Sequence, residues 1–419
     1  ELLPAAIEAH YAGLPLILVT ADRPARFRGT GAPQAIEQVG LFGVYASWPR
    51  GPRHINIEFD EPLIDGSLGG EPRPCRTDNP VCPVPPASCR TDNPVCPVPP
   101  PEDRQDCLSY MACERPLVIV GGLHARDRER VRAFALQLNA PVYAEPLSGL
   151  REDSELPLIV SGERMIARGN FDGVIRIGNV PTLRFWRDLE SSDLPVVHFS
   201  ALPFAGLTRG DVHPIDALPD VAPRERDEAF FVRDRELAAR FAQILDDEPQ
   251  SELAMFRKLS AGIAENARVY IGNSLPIREW DLAASREPRG LTFEANRGAN
   301  GIDGQLSTFF GQCDPARENV CVVGDLTAIY DLNAPWIVPQ LDAGVRFRIV
   351  IVNNGGGRIF SRVASLRALD RGYREQVIEN AHDVRFEHFA KLWNIDVEEL
   401  RPDLDASNRV WARYDELWS

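Results

Sequence analysis

The chain alternates short apolar runs with polar, glycine-containing turns and helical stretches. The clearest runs lie at 116–120, 320–323 and 347–352, and they are rich in valine and isoleucine. Runs that stay apolar at successive positions are typical of strands buried on both faces of a parallel sheet. The pattern therefore predicts an α/β protein built on doubly wound parallel sheets.

The same alternation divides the chain into three α/β units and a linker. We expect the units at 1–65, 107–245 and 246–419. Because the chain opens at Glu1 inside an amphipathic helix pattern, we expect the first unit to be incomplete. Within that unit the pattern predicts a buried strand at 15–20, another strand at 54–59, and a helix that begins at Gln34.

The linker at 66–106 contains a tandem repeat, in which the segment 75–86 recurs at 89–100 with a period of 14 residues. Its four cysteines are spaced by seven residues, whereas zinc ligands usually stand in pairs two to four residues apart. Its prolines favour an extended chain. We therefore predict an exposed connector, with a zinc site as the alternative.

The charge balance excludes some classes of partner. Acidic residues outnumber basic ones by 61 to 46, and the net charge is −15. This argues against nucleic acid or an anionic membrane as the main partner, and it requires local arginines for any anionic substrate. No apolar run reaches the roughly 18 residues of a membrane span, and no leader pattern opens the chain. We expect a cytoplasmic protein.

Polar and glycine residues follow two strands of the third unit. Asp325 comes directly after the run 320–323, and Asn354 follows the run 347–352, 29 residues later. One helix and one strand fit that interval, so both residues return to the sheet edge where doubly wound folds bind ligands. Carboxylate and amide oxygens suit Mg²⁺, and the glycines after Asn354 let a backbone carbonyl face the metal and N–H groups approach phosphate. The sequence therefore predicts a cation and a diphosphate here.

Three segments together carry a specific resemblance: NRGANGIDGQLST at 296–308, GDLTAIYDLNA at 324–334 and IVNNGGGRIFS at 351–361. They resemble thiamine diphosphate (ThDP) enzymes, and among these the menaquinone-pathway MenD family of 2-succinyl-5-enolpyruvyl-6-hydroxy-3-cyclohexene-1-carboxylate (SEPHCHC) synthases. The resemblance covers nearly all of the chain outside 66–106. It implies pyrimidine-binding (PYR), central and diphosphate-binding (PP) domains for the three units, with ThDP and Mg²⁺ or Mn²⁺ as cofactors.

The activity that this resemblance implies is decarboxylation of 2-oxoglutarate and addition of the succinyl carbanion equivalent to isochorismate. It also implies a homodimer or homotetramer with active sites between subunits. The family's catalytic glutamate lies upstream of Glu1, so we assign no catalytic residue and expect little activity from this chain alone.

The resemblance further assigns roles to individual residues. The metal would be held by Asp325, Asn354 and the carbonyl of Gly356. The cofactor would contact Gly272, Asn273, Ser274, Asn300, Gly301, Ile302, Asp325, Leu326 and Asn354. The substrates would contact Gln34, Arg184, Arg278, Arg297, Ile359 and Phe360. In these sets Ile302 would wedge ThDP into its bent form, the Asn300 carbonyl would accept from the aminopyrimidine, and the arginines would bind substrate carboxylates.

Several of these residues also have plainer interpretations. Gln34 and Arg184 could be surface residues at helix starts, and Ser274 could be an N-cap. Core packing could explain Ile302, Ile359 and Phe360. For the whole protein, the alternatives are another ThDP enzyme, of the oxoacid decarboxylase or acetohydroxyacid synthase type, and a non-catalytic ThDP-binding module. Leu326, which stands where many such enzymes have glycine, and the arginine set argue against the first alternative.

Overall fold

The computed structural model describes residues 2–46, 52–60 and 113–419. The repeat at 75–100 lies outside the described residues, so the connector and the zinc alternative stay predictions. Within the described ranges, twelve strands form three sheets in which neighbouring strands pair in parallel. This architecture confirms the predicted fold class.

The first sheet pairs only β1 (Ile17–Asp22) with β2 (Arg53–Glu58), and Val19 lies opposite Ile55. Helix α1 (Leu2–Tyr11) packs on it, with Ala6, Leu18 and Phe42 forming a small core. In β1, Leu18 is buried whereas Ile17 and Val19 are exposed. The prediction of a buried strand at 15–20 is therefore wrong for one face of β1.

The helix predicted to begin at Gln34 is absent, since residues 34–38 form an irregular loop. Gln34 has a φ of +63°, a left-handed conformation that a helix start does not adopt. The side-chain amide of Gln38 donates to Thr20 Oγ1, the Ala21 carbonyl and Asn56 Oδ1. These contacts hold the segment against the sheet and outweigh its local helical pattern.

The other two sheets have the same strand order. The second contains β3 (Pro116–Val120), β4 (Val142–Ala144), β5 (Gly173–Ile177), β6 (Val196–Phe199) and β7 (Val212–His213), in the order β4-β3-β5-β6-β7. The third contains β8 (Arg268–Ile271), β9 (Thr292–Glu294), β10 (Glu318–Gly324), β11 (Arg346–Val352) and β12 (Val397–Leu400), in the order β12-β11-β10-β8-β9. Counted within each sheet, both orders are 2-1-3-4-5, that of a doubly wound open sheet.

Helices cover the faces of these two sheets. They are α2 (Ala125–Leu138), α3 (Arg184–Asp188), α4 (Glu228–Asp247), α5 (Glu252–Ala261), α6 (Leu275–Ala283), α7 (Gln305–Gly311), α8 (Asp325–Tyr330), α9 (Ala364–Arg367), α10 (Arg371–Tyr373), α11 (Glu387–Trp393) and α12 (Leu404–Glu416). In the part of the chain that the structure describes, none of the helices combines the length and apolar character needed to cross a membrane.

Helix α4 belongs to both large units. Phe230 and Phe231, in its first turn, pack into the core of the second sheet, whereas Phe241 and Ile244 pack into the core of the third. The boundary expected between residues 245 and 246 therefore falls in the last turn of a shared helix. The two sheets are mechanically coupled rather than joined by a free linker.

Arg151 is a second link between the second and third units. Its side chain has no solvent exposure, and it donates to the carbonyls of Trp280, Asp281, Ala284 and Ser285 at the C-terminal end of α6. A cation at that end satisfies carbonyls that lack partners within the helix and interacts favourably with the helix dipole. Helix α6 is thereby anchored to the second unit.

Candidate active site

The candidate site lies where the strand order of the third sheet reverses. Strand β10 pairs with β8, but the chain runs from β8 to β9 on one side and from β10 to β11 on the other. The loops therefore diverge and leave a crevice at the carboxyl ends of the strands. The loop 272–274, Gly324–Asp325 and the turn that begins at Asn353 all start at this edge.

Asp325 is fixed by the turn that follows β11. Its Oδ2 accepts from the backbone N–H groups of Gly355 and Gly356 at 2.8 and 2.9 Å, and its Oδ1 accepts from Leu326 N–H at 2.7 Å. His382 Nε2 lies 3.3 Å from the same Oδ2. Asp325 is 3% exposed, and these contacts fix the position of its carboxyl group at the start of α8.

The turn requires glycine at position 356. Gly356 has a φ of +132°, and a Cβ built there would lie 2.6 Å from the Glu379 carbonyl oxygen. No other residue type fits this backbone without strain. The Gly356 carbonyl, predicted as a metal ligand, accepts from Arg358 N–H at 2.8 Å, and a carbonyl oxygen has a second lone pair for another partner.

The two asparagines of this turn differ in their side chains. Asn353 uses both ends of its amide, donating to the Val384 carbonyl and Glu399 and accepting from Gly355 N–H. Asn354 donates from Nδ2 to Glu252 Oε1 at 2.9 Å. Its Oδ1 is buried and has no hydrogen-bond partner among the described residues. Of these two asparagines, only Asn354 has a side-chain oxygen that is free to accept a further partner.

Asn273 connects the neighbouring loops through hydrogen bonds. It is fully buried, and its amide nitrogen donates to the carbonyls of Asn296 and Gly301 at 2.7 and 2.6 Å. Its Oδ1 accepts from Arg297 Nη1 at 2.7 Å. Gln305 reinforces the arrangement, since it accepts from Asn273 N–H and donates to the Gly301 carbonyl. The predicted cofactor loops 272–274 and 300–302 are thus held to one another.

Ser274 stands at the strained start of α6. Its φ of +71° and ψ of −124° are unusual for a residue with a side chain, and its hydroxyl makes no capping bond to the helix. The alternative of a simple N-cap serine therefore lacks its defining hydrogen bond. Gly272 precedes it at the end of β8, where an added Cβ would lie 3.0 Å from Val323 Cα.

Two of the predicted substrate arginines lie within electrostatic range of each other. Arg297 Nη2 donates to Thr182 Oγ1 at 2.9 Å, which reaches the second unit. Burial lowers the pKa of Arg297 to about 10, and the positive charge of Arg278 contributes to the same shift. Arg278 is exposed and donates to the Ser274 carbonyl. Arg187 of α3 adds a third positive charge near Arg278.

Arg184 has a different environment from this pair. It is the first residue of α3, its side chain is half exposed, and it forms an ion pair with Asp188 at 2.7 Å. Arg184 thus lies at the surface at a helix start, and its role as a substrate contact stays a prediction.

The remaining predicted residues differ in burial and in backbone conformation. Ile302 and Leu326 are half-buried, and Asn300 has a φ of +63° and a buried side-chain oxygen without a partner among the described residues. Gln34 N–H donates to the Ala299 carbonyl of the same chain at 3.2 Å. Ile359 is half-buried and Phe360 is 39% exposed. Neither packs in a core cluster, so the core-packing alternative does not describe them.

Sequence reasoning missed the acids beside the arginines. Glu145 is 6% exposed, accepts from Thr182 N–H at 2.6 Å and lies within electrostatic range of Arg297. Burial raises its pKa to about 7. Glu163 is a second acid near Arg278, and it accepts from Arg184 N–H. Glu145 and Glu163 belong to the second unit and stand far from Arg278 and Arg297 in sequence, so no local motif indicates them.

Comparison with known proteins bears on what this site does. The chain is 39% identical to the 2-succinyl-5-enolpyruvyl-6-hydroxy-3-cyclohexene-1-carboxylate synthase of Bdellovibrio bacteriovorus, over 100% of this chain and 84% of that protein. The enzyme of the same name from Akkermansia muciniphila is 35% identical over 94% of this chain and 76% of its own length. The chain belongs to the SEPHCHC synthase family.

A third relative with that name, from Geobacillus thermodenitrificans, is 30% identical over 93% of this chain and 74% of its own length. No family model matches the chain. The family that the three sequence segments resemble is also the family that similarity over the whole chain shows.

The donor set of this SEPHCHC synthase family member fits a hard divalent cation. The free Oδ1 of Asn354, the Asp325 carboxylate and a backbone carbonyl are oxygen donors of the kind that Mg²⁺ prefers. Across the described ranges, no group of three or more His, Cys, Asp or Glu side chains is placed to hold a metal. A site built from one carboxylate, one amide and one carbonyl is consistent with that finding.

Proposed function

We propose that this protein is a SEPHCHC synthase of menaquinone biosynthesis. It decarboxylates 2-oxoglutarate and adds the succinyl unit to isochorismate, with ThDP and Mg²⁺ or Mn²⁺ as cofactors. The observation that carries the proposal is the unpartnered, buried Oδ1 of Asn354 beside Asp325, at the edge where the strand order reverses. A buried amide oxygen without a donor is costly, and a cation would satisfy it.

In this proposal the chain's own residues hold and orient the cofactor. Asp325, Asn354 and the Gly356 carbonyl bind the cation. The loop 272–274, Leu326 and Ile302 would contact the cofactor, and Ile302 would help to set its conformation. The Asn300–Gly301 segment, held by Asn273, presents a carbonyl to the aminopyrimidine. When it is bound, ThDP supplies the electron sink for decarboxylation, and the protein supplies position and charge.

Both proposed substrates carry several carboxylates, so cationic side chains must bind them. Arg297 and Arg278 lie beside the cofactor loop, and their guanidinium groups can bind carboxylates through two hydrogen bonds. Thr182 and Asn273 fix the orientation of Arg297 before substrate arrives. We assign Ile359 and Phe360 to the ring of isochorismate, and Gln34 and Arg184 to further substrate contacts.

The proposal includes the organisation of the protein. We assign residues 1–65 to a PYR domain, 66–106 to a linker, 107–245 to the central domain and 246–419 to the PP domain. We also propose a homodimer or homotetramer in the cytoplasm, with active sites formed between subunits and with neither nucleic acid nor membrane as a partner. The supports are the three parallel sheets, the net charge of −15 and the family to which the chain belongs.

The test combines ThDP binding by this chain with product formation by a version extended upstream of Glu1, because we expect little activity from this chain alone. Asp325→Ala should abolish Mg²⁺-dependent ThDP binding in calorimetry, because it removes the charged metal ligand. The control is Asp396→Ala, an exposed acid next to the amino-terminal end of β12, which should leave ThDP affinity unchanged. Unchanged ThDP affinity in the Asp325→Ala variant would refute the metal assignment. Turnover of another 2-oxoacid, with none of 2-oxoglutarate and isochorismate, would instead indicate a different ThDP enzyme.

A further inference from the structure

A buried acid lies directly behind the proposed metal ligand Asn354. Glu252 is the first residue of α5 and is 2% exposed. Its Oε1 accepts the 2.9 Å hydrogen bond from Asn354 Nδ2. Because this carboxyl oxygen accepts, its partner is the NH₂ end of the amide, and Oδ1 is left without a partner among the described residues. The contact therefore determines which end of Asn354 faces the crevice.

Glu252 is itself held by several elements. Its backbone N–H donates to Ser407 Oγ of α12 at 3.0 Å, and it follows the N-cap Ser251. Its carboxyl group interacts with that of Glu279, which accepts from Arg362 at 3.1 Å. Burial and the charge of Glu252 hold the pKa of Glu279 well above its ordinary value. Arg362 in turn stacks on Trp411, 3.8 Å from the ring centre.

We propose that Glu252 is a positioning residue for the metal: it locks the Asn354 amide so that Oδ1, and not the NH₂ group, faces the cation. This inference rests on the proposed function. Without such an acceptor, the two ends of an amide are nearly equal in shape, and the amide can turn. A turned amide would present two N–H donors to the cation, which repel it. Groups that orient metal ligands in this way typically affect metal affinity by about 10–100-fold.

The first test measures Mn²⁺ binding by electron paramagnetic resonance of the free ion, with ThDP in excess and no substrate present. Glu252→Leu removes the acceptor and should weaken Mn²⁺ binding by about 10–100-fold. Glu252→Gln keeps an accepting oxygen and should bind Mn²⁺ about as well as the wild-type protein. Glu279→Gln, in the same buried cluster, serves as the matched control and should also retain the affinity.

The second test avoids a buried leucine and uses a double-mutant cycle. Asn354→Asp alone places two carboxylates side by side and should weaken Mn²⁺ binding, although aspartate is otherwise a good ligand. Adding Glu252→Gln should restore most of the lost affinity, because the glutamine amide can donate to one oxygen of Asp and leave the other for the metal. Thermal melting of each variant checks that it is folded.

The outcomes separate this inference from the proposed function. Wild-type-like Mn²⁺ affinity in Glu252→Leu, or no recovery in the double variant, would overturn the positioning role while the wild-type protein still binds Mn²⁺ with ThDP. Equal losses in Glu252→Leu, Glu252→Gln and Glu279→Gln would also overturn it, since they would show that the charge of the cluster matters rather than the hydrogen bond. Failure of the wild-type protein to bind Mn²⁺ with ThDP would refute the proposed function itself.

Discussion

Arg297 is the proposed substrate residue whose side chain the fold orients most completely. Its two guanidinium nitrogens are held by Asn273 of the third unit and Thr182 of the second. Arg278, by contrast, is exposed and makes one contact with the Ser274 carbonyl. We infer that Arg297 sets the orientation of the substrate, and that Arg278 closes on it after binding.

Replacement of either arginine by alanine should weaken substrate use and leave ThDP affinity nearly unchanged. Each lost charge-assisted hydrogen bond costs about 1.5–3 kcal/mol, or about 10–100-fold in kcat/KM. The measurement is steady-state kinetics, on a version of the protein extended upstream of Glu1 to include the family's catalytic glutamate, together with ThDP calorimetry. Arg346→Ala, an exposed arginine at the opposite end of β11, is the control. Release of ThDP as the main effect of either change would show that the roles are wrong.

Glu145 gives the site a pH dependence of its own. Burial is the main cause that raises its pKa from an ordinary 4.5 to about 7. At pH values between 4.5 and about 7, the Glu145 carboxyl group is protonated in the folded state and ionised in the unfolded state. Stability therefore falls as pH rises through this window, by an amount on the order of 3 kcal/mol.

Glu145→Gln should remove that part of the pH dependence. The free energy of unfolding, measured with denaturant, decreases from pH 5 to pH 8 in the wild-type protein. In Glu145→Gln this decrease should be smaller by about 2–3 kcal/mol. Glu265→Gln, an exposed acid, should behave like the wild type. The same pH dependence in Glu145→Gln as in the wild type would contradict the assignment of this proton to Glu145.

At the residue scale, sequence reasoning identified residues that belong to motifs and missed residues that contact and orient them. Asp325 and Asn354 follow apolar runs, and strand periodicity predicts where such runs end. Glu252 lies 102 residues from Asn354, and Glu145 lies 37 residues from Thr182. The packing of separate helices and strands brings these pairs together, and nothing in either local sequence encodes the contact.

At the scale of elements, apolar runs predicted the strands well. The run 116–120 matches β3 (Pro116–Val120), and the run 347–352 falls within β11 (Arg346–Val352). The prediction failed at Gln34, where side-chain contacts of Gln38 with three partners override a local helical pattern. It also failed on the burial of β1, because the sequence does not show how many layers cover a sheet.

The turn after β11 is the element on which the metal site depends. Gly356→Ala would force a side chain into a φ of +132° and place its Cβ 2.6 Å from a backbone oxygen. We expect a loss of about 1–3 kcal/mol in the free energy of unfolding, together with weaker Mg²⁺-dependent ThDP binding.

The control for this turn is Gly311→Ala, at the end of α7, where a Cβ meets nothing within 4 Å. It should be neutral or slightly stabilising, because it reduces the entropy of the unfolded chain. Equal effects of the two substitutions, in urea unfolding and in calorimetry, would show that the turn tolerates a side chain.

At the scale of the whole molecule, the second and third units form one body around α6. The N-terminal end of this helix carries the cofactor loop and Arg278, and its C-terminal end is held by Arg151 of the second unit. The hydroxyl of Tyr143 adds a 2.5 Å hydrogen bond to Asp281 on the same helix. We infer that the second unit, besides lining the site, fixes the direction in which α6 presents its residues.

Arg151→Met tests this coupling, because it keeps most of the side-chain volume and removes the guanidinium. Breaking a buried charged network of this kind typically costs about 3–5 kcal/mol. We expect a lower melting temperature in scanning calorimetry and weaker substrate binding, since α6, which carries Arg278, loses its fixed direction. Arg164→Met is the matched control, because Arg164 also bridges distant segments, through an ion pair with Asp415 that is about half exposed. An exposed pair contributes only about 0–1 kcal/mol to the free energy of unfolding, so Arg164→Met should cost little. Equal losses in the two variants would show that the buried contacts of Arg151 do not join the units.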